Sequence, residues 1–318
     1  MKKKIIGLFF VVSLVCGMHS KVHADQINDS IQGQVQVVKE KSSGTEGLYT
    51  VEISDEEAEQ IANANQKSTT VEYYAGKDEK AFLNCGGDYG YQDMKKRSNT
   101  EGRQYLYREL KKESEAFTTG NADAEEYMLN DTIPIYIVGK INVQQYQMTA
   151  KEMVETYFTF RNDNPQFFWV DNMVVYSSNY LMLLSYGDYE QAVERKETLN
   201  EIVDTQRNVY QSGITSTDSK YEKVLKIHDA LIKDIEYDED VYSGEEAETS
   251  HSIAGAMTSA KTAVCEGYAK VMQLMMNCYD VENIYVTGIA NGGGHAWNMV
   301  QMNDGKYYWL DATWDDQE

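Results

Sequence analysis

The chain reads as an α+β fold, helices packed on an antiparallel sheet, and three observations carry that expectation. From Glu266 to Tyr279, the residues Tyr268, Val271, Met272, Met275 and Met276 recur at helical intervals and form one apolar face. A hairpin follows, with His295–Met302 and Lys306–Leu310 as arms around Asn303-Asp304-Gly305. Upstream, Asp188 to Gln211 reads as a long amphipathic helix.

The elements are justified in order. Residues 1–24 have the form of a secretory leader. Lys2-Lys3-Lys4 start it, Ile5 to Met18 are mostly apolar, and Val22-His23-Ala24 offers a cleavage site. The apolar stretch is short for a bilayer span. The expectation is a secreted or cell-surface protein with no stable membrane insertion. Residues 25–100 form a polar N-terminal region, a small α+β module or an arm. Gln34–Lys39, Gly47–Ile53 and Ser68–Ala75 alternate like strands, and Ser54-Asp55-Glu56-Glu57 is a capping box. Gly86-Gly87-Asp88-Tyr89-Gly90 marks its boundary with the main domain, residues 101–318.

That domain opens with a helix from Thr100 to about Phe117 and an acidic loop, Asn121–Asn130. Ile133–Val138 is a strand that tolerates Pro134 near its start. A helix over Ala150–Phe160, two strand-like runs over Met173–Leu184, and a helix over Glu222–Asp234 follow. The acidic stretch Asp238–Glu248 lacks EF-hand spacing and reads as a solvated loop.

The bulk composition narrows the partners. Over 318 residues, 51 acids against 29 basic residues give a net charge of −22, which repels phosphate backbones. Nucleic acid is therefore excluded as a partner. Cys85, Cys265 and Cys278 remain after the leader, an odd number, so at least one stays outside any intramolecular disulfide. Cys278 reads first as a buried helix residue, and pairing with Cys85 is the alternative. No CxxC or HExxH occurs, so neither metal nor cofactor is expected.

The chemistry concentrates near the C-terminus. Cys265 opens a helix, where unpaired N–H groups and the helix dipole favour a thiolate. Its own N–H is placed to donate to an oxyanion. His295 and Asp311 supply a base and the carboxylate that orients it. Turn length decides whether the last two can meet. A two-residue turn over Asp304-Gly305 sets His295 and Asp311 on opposite faces of the hairpin. A three-residue turn over Asn303–Gly305, with Gly305 left-handed, makes them diagonal neighbours on one face. The three-residue turn is predicted.

These segments resemble the bacterial transglutaminase-like superfamily. The resemblance rests on Val264-Cys265-Glu266-Gly267-Tyr268-Ala269-Lys270, Gly294-His295-Ala296-Trp297-Asn298 and Asp311-Ala312-Thr313-Trp314-Asp315-Asp316. Lys226-Ile227-His228-Asp229, Ile235-Glu236-Tyr237-Asp238 and Asp163-Asn164-Pro165-Gln166-Phe167-Phe168-Trp169 add to it. It spans roughly residues 90–318. It implies a papain-like α+β core with Cys265 as nucleophile, His295 as base and Asp311 as orienting acid. The family usually continues with more sheet beyond the Asp311 motif, so the sequence is expected to be truncated at its C-terminal end.

Other candidates receive quieter roles. His228 lies beside Leu225 and Leu231 and reads as structural, and His251 as a cap or packing residue. Trp169 is a candidate oxyanion donor, although Phe167-Phe168-Trp169 looks like core filling. Trp297 and Trp314 are expected to wall the cleft. Asn291-Gly292-Gly293-Gly294 reads as flexible access to His295. The expected function is an exported thiol enzyme, a cysteine peptidase or acyltransferase. It would act on peptide or glutamine amide bonds through a thioester, with proteins or peptides, cell-envelope peptides among them, as substrates. The alternative is a catalytically silent surface module that binds peptide or glycan.

Overall fold

The computed structural model describes residues 36–38, 49–61, 76–211, 213–290 and 293–316. The leader and the strand expected over 68–75 lie outside the described residues. Strands β1 (Gln36–Val38) and β2 (Tyr49–Glu52) lead to helix α1 (Asp55–Ile61), which Ser54 opens by accepting the Glu57 N–H at 3.1 Å. Helices α2 (Lys77–Leu83), α3 (Tyr89–Asp93) and α4 (Thr100–Thr119) follow. Next come β3 (Glu125–Leu129), β4 (Ile133–Asn142), α5 (Ala150–Asp163), β5 (Met173–Tyr176), β6 (Tyr180–Ser185) and α6 (Ala192–Thr205). The C-terminal part holds α7 (Lys220–Asp234), β7 (Glu236–Tyr237), α8 (Ile253–Met257), β8 (Thr262–Ala263) and α9 (Cys265–Cys278). It ends with β9 (Asn283–Ala290), β10 (Gly293–Gln301), β11 (Tyr307–Leu310) and α10 (Ala312–Asp315).

Six strands form one sheet in the order β1-β2-β5-β6-β4-β3, so strands from both sides of the Gly86–Gly90 cluster share it. The sheet is mixed rather than antiparallel throughout, because β2 pairs with β5 in parallel. Alternation along β6 explains how it is covered. Leu181 and Leu183 join the main core, whereas Met182 and Leu184 join a second cluster with Val51, Ala58 and Ile61. Both faces of the strand are thus buried, as its unbroken apolar run requires.

Two local readings are corrected. Asn121–Asn130 is not a loop throughout, since it contains β3, paired with β4 across a turn. That turn holds Asn130 and Asp131 at φ 51° and 57°, values these residue types tolerate. Pairing outweighs the polar composition there. Asp188–Gln211 is not one continuous helix either. The segment before α6 forms a separate 3₁₀ turn, Gly187–Tyr189, and leaves the Tyr189 and Glu190 carbonyls to the buried Arg195 guanidinium, at 2.9 and 3.1 Å. Beyond Thr205 the chain relaxes into a π-helical turn, Gln206–Tyr210.

The cysteines are also corrected. Cys278 is not simply a buried helix residue. It forms a disulfide with Cys85 at a Cα–Cα distance of 4.6 Å, bridging 193 positions of sequence. Packing of the segment after α2 against the end of α9 creates this contact, and no local pattern announces it.

Asp163, at the end of α5, has one carboxylate oxygen that accepts from Gly90 N–H at 2.9 Å, Tyr91 N–H at 3.3 Å and Tyr107 O–H at 2.9 Å. Burial raises its pKa to about 6 despite these donors. An acid whose folded pKa lies above its unfolded value stabilises the fold at low pH. That contribution fades as pH climbs from about 4 through 6. Asp163→Asn is therefore expected to lose about 1–3 kcal/mol less stability than the parent between pH 4 and 7. Denaturant melts at both pH values check this, and parallel curves for the two proteins would refute it.

Candidate active site

Cys265 is the first residue of α9, half-buried and outside the disulfide. Val264, in extended conformation, precedes it, so the thiol stands where the helix N–H groups are unpaired. The first turn of α9 is anchored on its other side. A Cβ on Gly267 would lie 2.6 Å from the Ser250 carbonyl oxygen and 2.7 Å from the Ala263 Cβ, so only glycine permits this approach. Gly267→Ala is expected to cost about 1–3 kcal/mol through overpacking. Urea denaturation measures it, and an unchanged midpoint would show that the contact gives way freely.

Beside Cys265, Glu266 is buried and takes Lys270 at 2.5 Å, His251 Nδ1 at 3.2 Å and Arg161 at 3.7 Å. Burial alone would raise its pKa. Lys270, His251 and Arg161 overcome that and hold the carboxyl well below the usual range. The Glu266/Lys270 spacing at the start of a helix was a legible signal for this pair. The contributions of Arg161 and His251 come from distant segments and were not legible.

His295 lies on β10, and its strand is tied to α9 by Asn298 Nδ2, which donates to the Ala269 carbonyl at 2.9 Å. The hairpin register pairs Asn298 with Leu310 and Gln301 with Tyr307. Gly305 has φ 76°, and its N–H donates to the Met302 carbonyl at 3.0 Å. This is the predicted three-residue turn. It sets His295 and Asp311 on one face, where His295 Nε2 and Asp311 Oδ2 lie 2.7 Å apart. Asp311 caps α10, and its other oxygen accepts the Trp314 N–H at 3.2 Å, which fixes the carboxylate plane.

The imidazole is buried, and two indoles lie nearly parallel to it. Trp314 is at 4.8 Å and 15°, and Trp297 at 5.7 Å and 25°. Rings stacked on both sides restrict its rotation. Helix α10 is held by two tethers. Tyr268, one turn after Cys265, donates its hydroxyl to Asp316, and His228 Nε2 lies 3.2 Å from Asp315. The elements bearing the thiol, the imidazole and the carboxylate are thus braced against one another.

Trp169 is not among them. It is fully buried, and its indole N–H donates to Thr118 Oγ1 at 2.8 Å, edge-on to Phe117. An oxyanion donor needs that hydrogen free, so the oxyanion assignment is corrected to a core residue. Of the segment Asn291–Gly294, residues 291–292 lie outside the described residues.

Residues 207–312 match the model of the transglutaminase-like superfamily. The chain carries a transglutaminase-like core. No curated protein matches the chain significantly. Among solved structures, a proposed cysteine protease from Cytophaga hutchinsonii shares 20% identity over 36% of this chain and 37% of its own, with TM-score 0.27. A structure described as a TGase shares 19% identity over 42% and 41%, with TM-score 0.32. A proposed protease from Parabacteroides distasonis shares 12% identity over 42% and 28%, with TM-score 0.25. The matches span less than half the length of each of these chains. The transglutaminase-like core includes Cys265 and His295 and ends one residue beyond Asp311.

Proposed function

We propose that the chain is a thiol-dependent enzyme acting on peptide or glutamine amide bonds, with Cys265, His295 and Asp311 as its triad. The observation that carries this reading is the 2.7 Å contact between His295 Nε2 and Asp311 Oδ2, on a strand tied to the first turns of the helix that Cys265 opens. With Nε2 engaged by the carboxylate, Nδ1 is the nitrogen available to take the thiol proton.

The reaction then balances as acyl transfer. Cys265 Sγ attacks the carbonyl carbon as its proton passes to His295. The tetrahedral adduct collapses, the C–N bond breaks, and the imidazolium returns the proton to the leaving amine. Water or a second amine attacks the thioester, the C–S bond breaks, and the thiol is restored through His295. Hydrolysis is favoured because water is always present. The expected leader and the disulfide together support action outside the cytosol.

Iodoacetamide labelling followed by peptide mapping tests the reading. Cys265 is expected to react faster than a free thiol below pH 7, and His295→Ala is expected to remove that advantage. Equal rates for Cys265 and for a denatured control would end it. Incubation with a glutamine peptide and a fluorescent primary amine separates hydrolysis from transfer.

A further inference from the structure

Beside the first turns of α9 lies a buried charge cluster that the triad chemistry does not use. It converges on His251, the last residue of the 3₁₀ turn Glu248–His251. Its Nδ1 lies 3.2 Å from Glu266 Oε2, and its Nε2 lies 3.5 Å from Glu246 Oε1. The Glu246 side chain is 2% exposed, and neither of its oxygens has a hydrogen-bond partner. A carboxylate so deeply enclosed needs a cation beside it. Among the described residues that cation is His251. A neutral imidazole has one N–H, and its other nitrogen would turn a lone pair towards a carboxylate. With a carboxylate at each end, the ring fits as an imidazolium. Glu266 also faces Lys270 on α9 and Arg161 on α5, and Asp238 takes the hydroxyl of the neighbouring Ser250.

The backbone on either side of His251 presses on the same turn. The Ser250 carbonyl accepts the Val264 N–H at 3.0 Å, and Lys270 Nζ donates to the His251 carbonyl at 2.9 Å. The Ser250 and Ser252 carbonyls lie against Gly267, where a side chain would not fit. Residues 250–252 therefore seat the residues on both sides of Cys265. We propose that His251 is a positioning residue: as an imidazolium bridging Glu246 and Glu266, it holds the first turn of α9 and so aims the Cys265 thiol. The clamp acts at low pH and is released as the ring loses its proton. A histidine held in its charged form contributes fully below its unfolded pKa of about 6.5, and that contribution fades as pH climbs through the higher folded value.

The catalytic consequence rests on Cys265 being the nucleophile, and the test separates the two claims. The full parent chain is titrated by NMR from about pH 5 to 9, with the His251 ring signals assigned by their loss in His251→Gln. They are expected to titrate at higher pH than in the urea-unfolded chain, with the Glu266, Gly267 and Tyr268 amides moving at the same midpoint. Glu246→Gln is expected to lower that midpoint. In parallel, iodoacetamide labelling at about pH 6 is expected to slow about tenfold at Cys265 in His251→Gln. His251→Lys, which keeps a cation, is expected to retain at least about half the parent rate. Should His251→Gln fail to fold, Glu246→Gln reads the same loss of labelling. A His251 midpoint equal to that of the unfolded chain would overturn the proposal. So would first-turn amides that ignore its proton, or labelling unchanged in both glutamine variants. A parent Cys265 no more reactive than a denatured thiol would instead overturn the enzyme reading, and the titration then decides the clamp alone.

Discussion

Cys265→Ala is expected to abolish amide turnover, by about 10⁴-fold or more, while leaving the melting profile near that of the parent. The thiol is half-buried at the tip of α9 and outside the disulfide, so its removal deletes little packing. His295→Ala is expected to give a comparable loss, because members of such a unit are not additive and the thiolate needs its base. Asp311→Asn should cost less than either. It keeps the cap on α10 but weakens the hold on the His295 tautomer across the 2.7 Å contact. Steady-state kinetics on a glutamine-containing peptide library, with calorimetric melts of each variant, measure all three. Residual activity above one-tenth in Cys265→Ala would assign the chemistry to other residues.

Opening the Cys85–Cys278 bridge is the second large effect expected. The bond closes a loop spanning 193 positions, and in the chain-entropy account a loop of that size restricts the unfolded state by about 4–5 kcal/mol. Small domains hold only 5–15 kcal/mol in total, so a Cys85→Ser/Cys278→Ser pair should melt many degrees lower. The loss should not fall evenly. Cys278 ends the helix that Cys265 begins, and Gln206 donates to its sulfur at 3.3 Å. The end of α9 and the segment after α2 are expected to lose hydrogen-exchange protection first. Melts with and without dithiothreitol, together with exchange by mass spectrometry, check both points. An unchanged midpoint on full reduction would show that noncovalent packing alone holds α9 against the segment after α2.

Much of the candidate site is legible in the sequence. The alternation of β10 and β11, with Gly305 as a residue free to take positive φ, settled the register, and the register put His295 and Asp311 on one face. The helix beginning at Cys265 followed from apolar spacing alone. The N-cap at Ser54 was equally local, since the Glu57 N–H it accepts lies three residues on. Elements failed where distant contacts outvoted composition. β3 looked like an acidic loop because its stability comes from pairing with β4, and the Asp188–Gln211 helix broke because Arg195 claims backbone carbonyls in the core.

The sequence by itself therefore determined the order of chemical groups, the helix that presents the thiol, and the hairpin that brings His295 to Asp311. Those features rest on periods of two and 3.6 residues and on one turn, all encoded within short windows. Only the tertiary structure decided that Cys278 meets Cys85, that Trp169 spends its N–H on Thr118, and that Glu266 gathers Lys270, His251 and Arg161. Each of these depends on burial. A buried charge or N–H must find some partner, but which one it finds is set by segments far away along the chain.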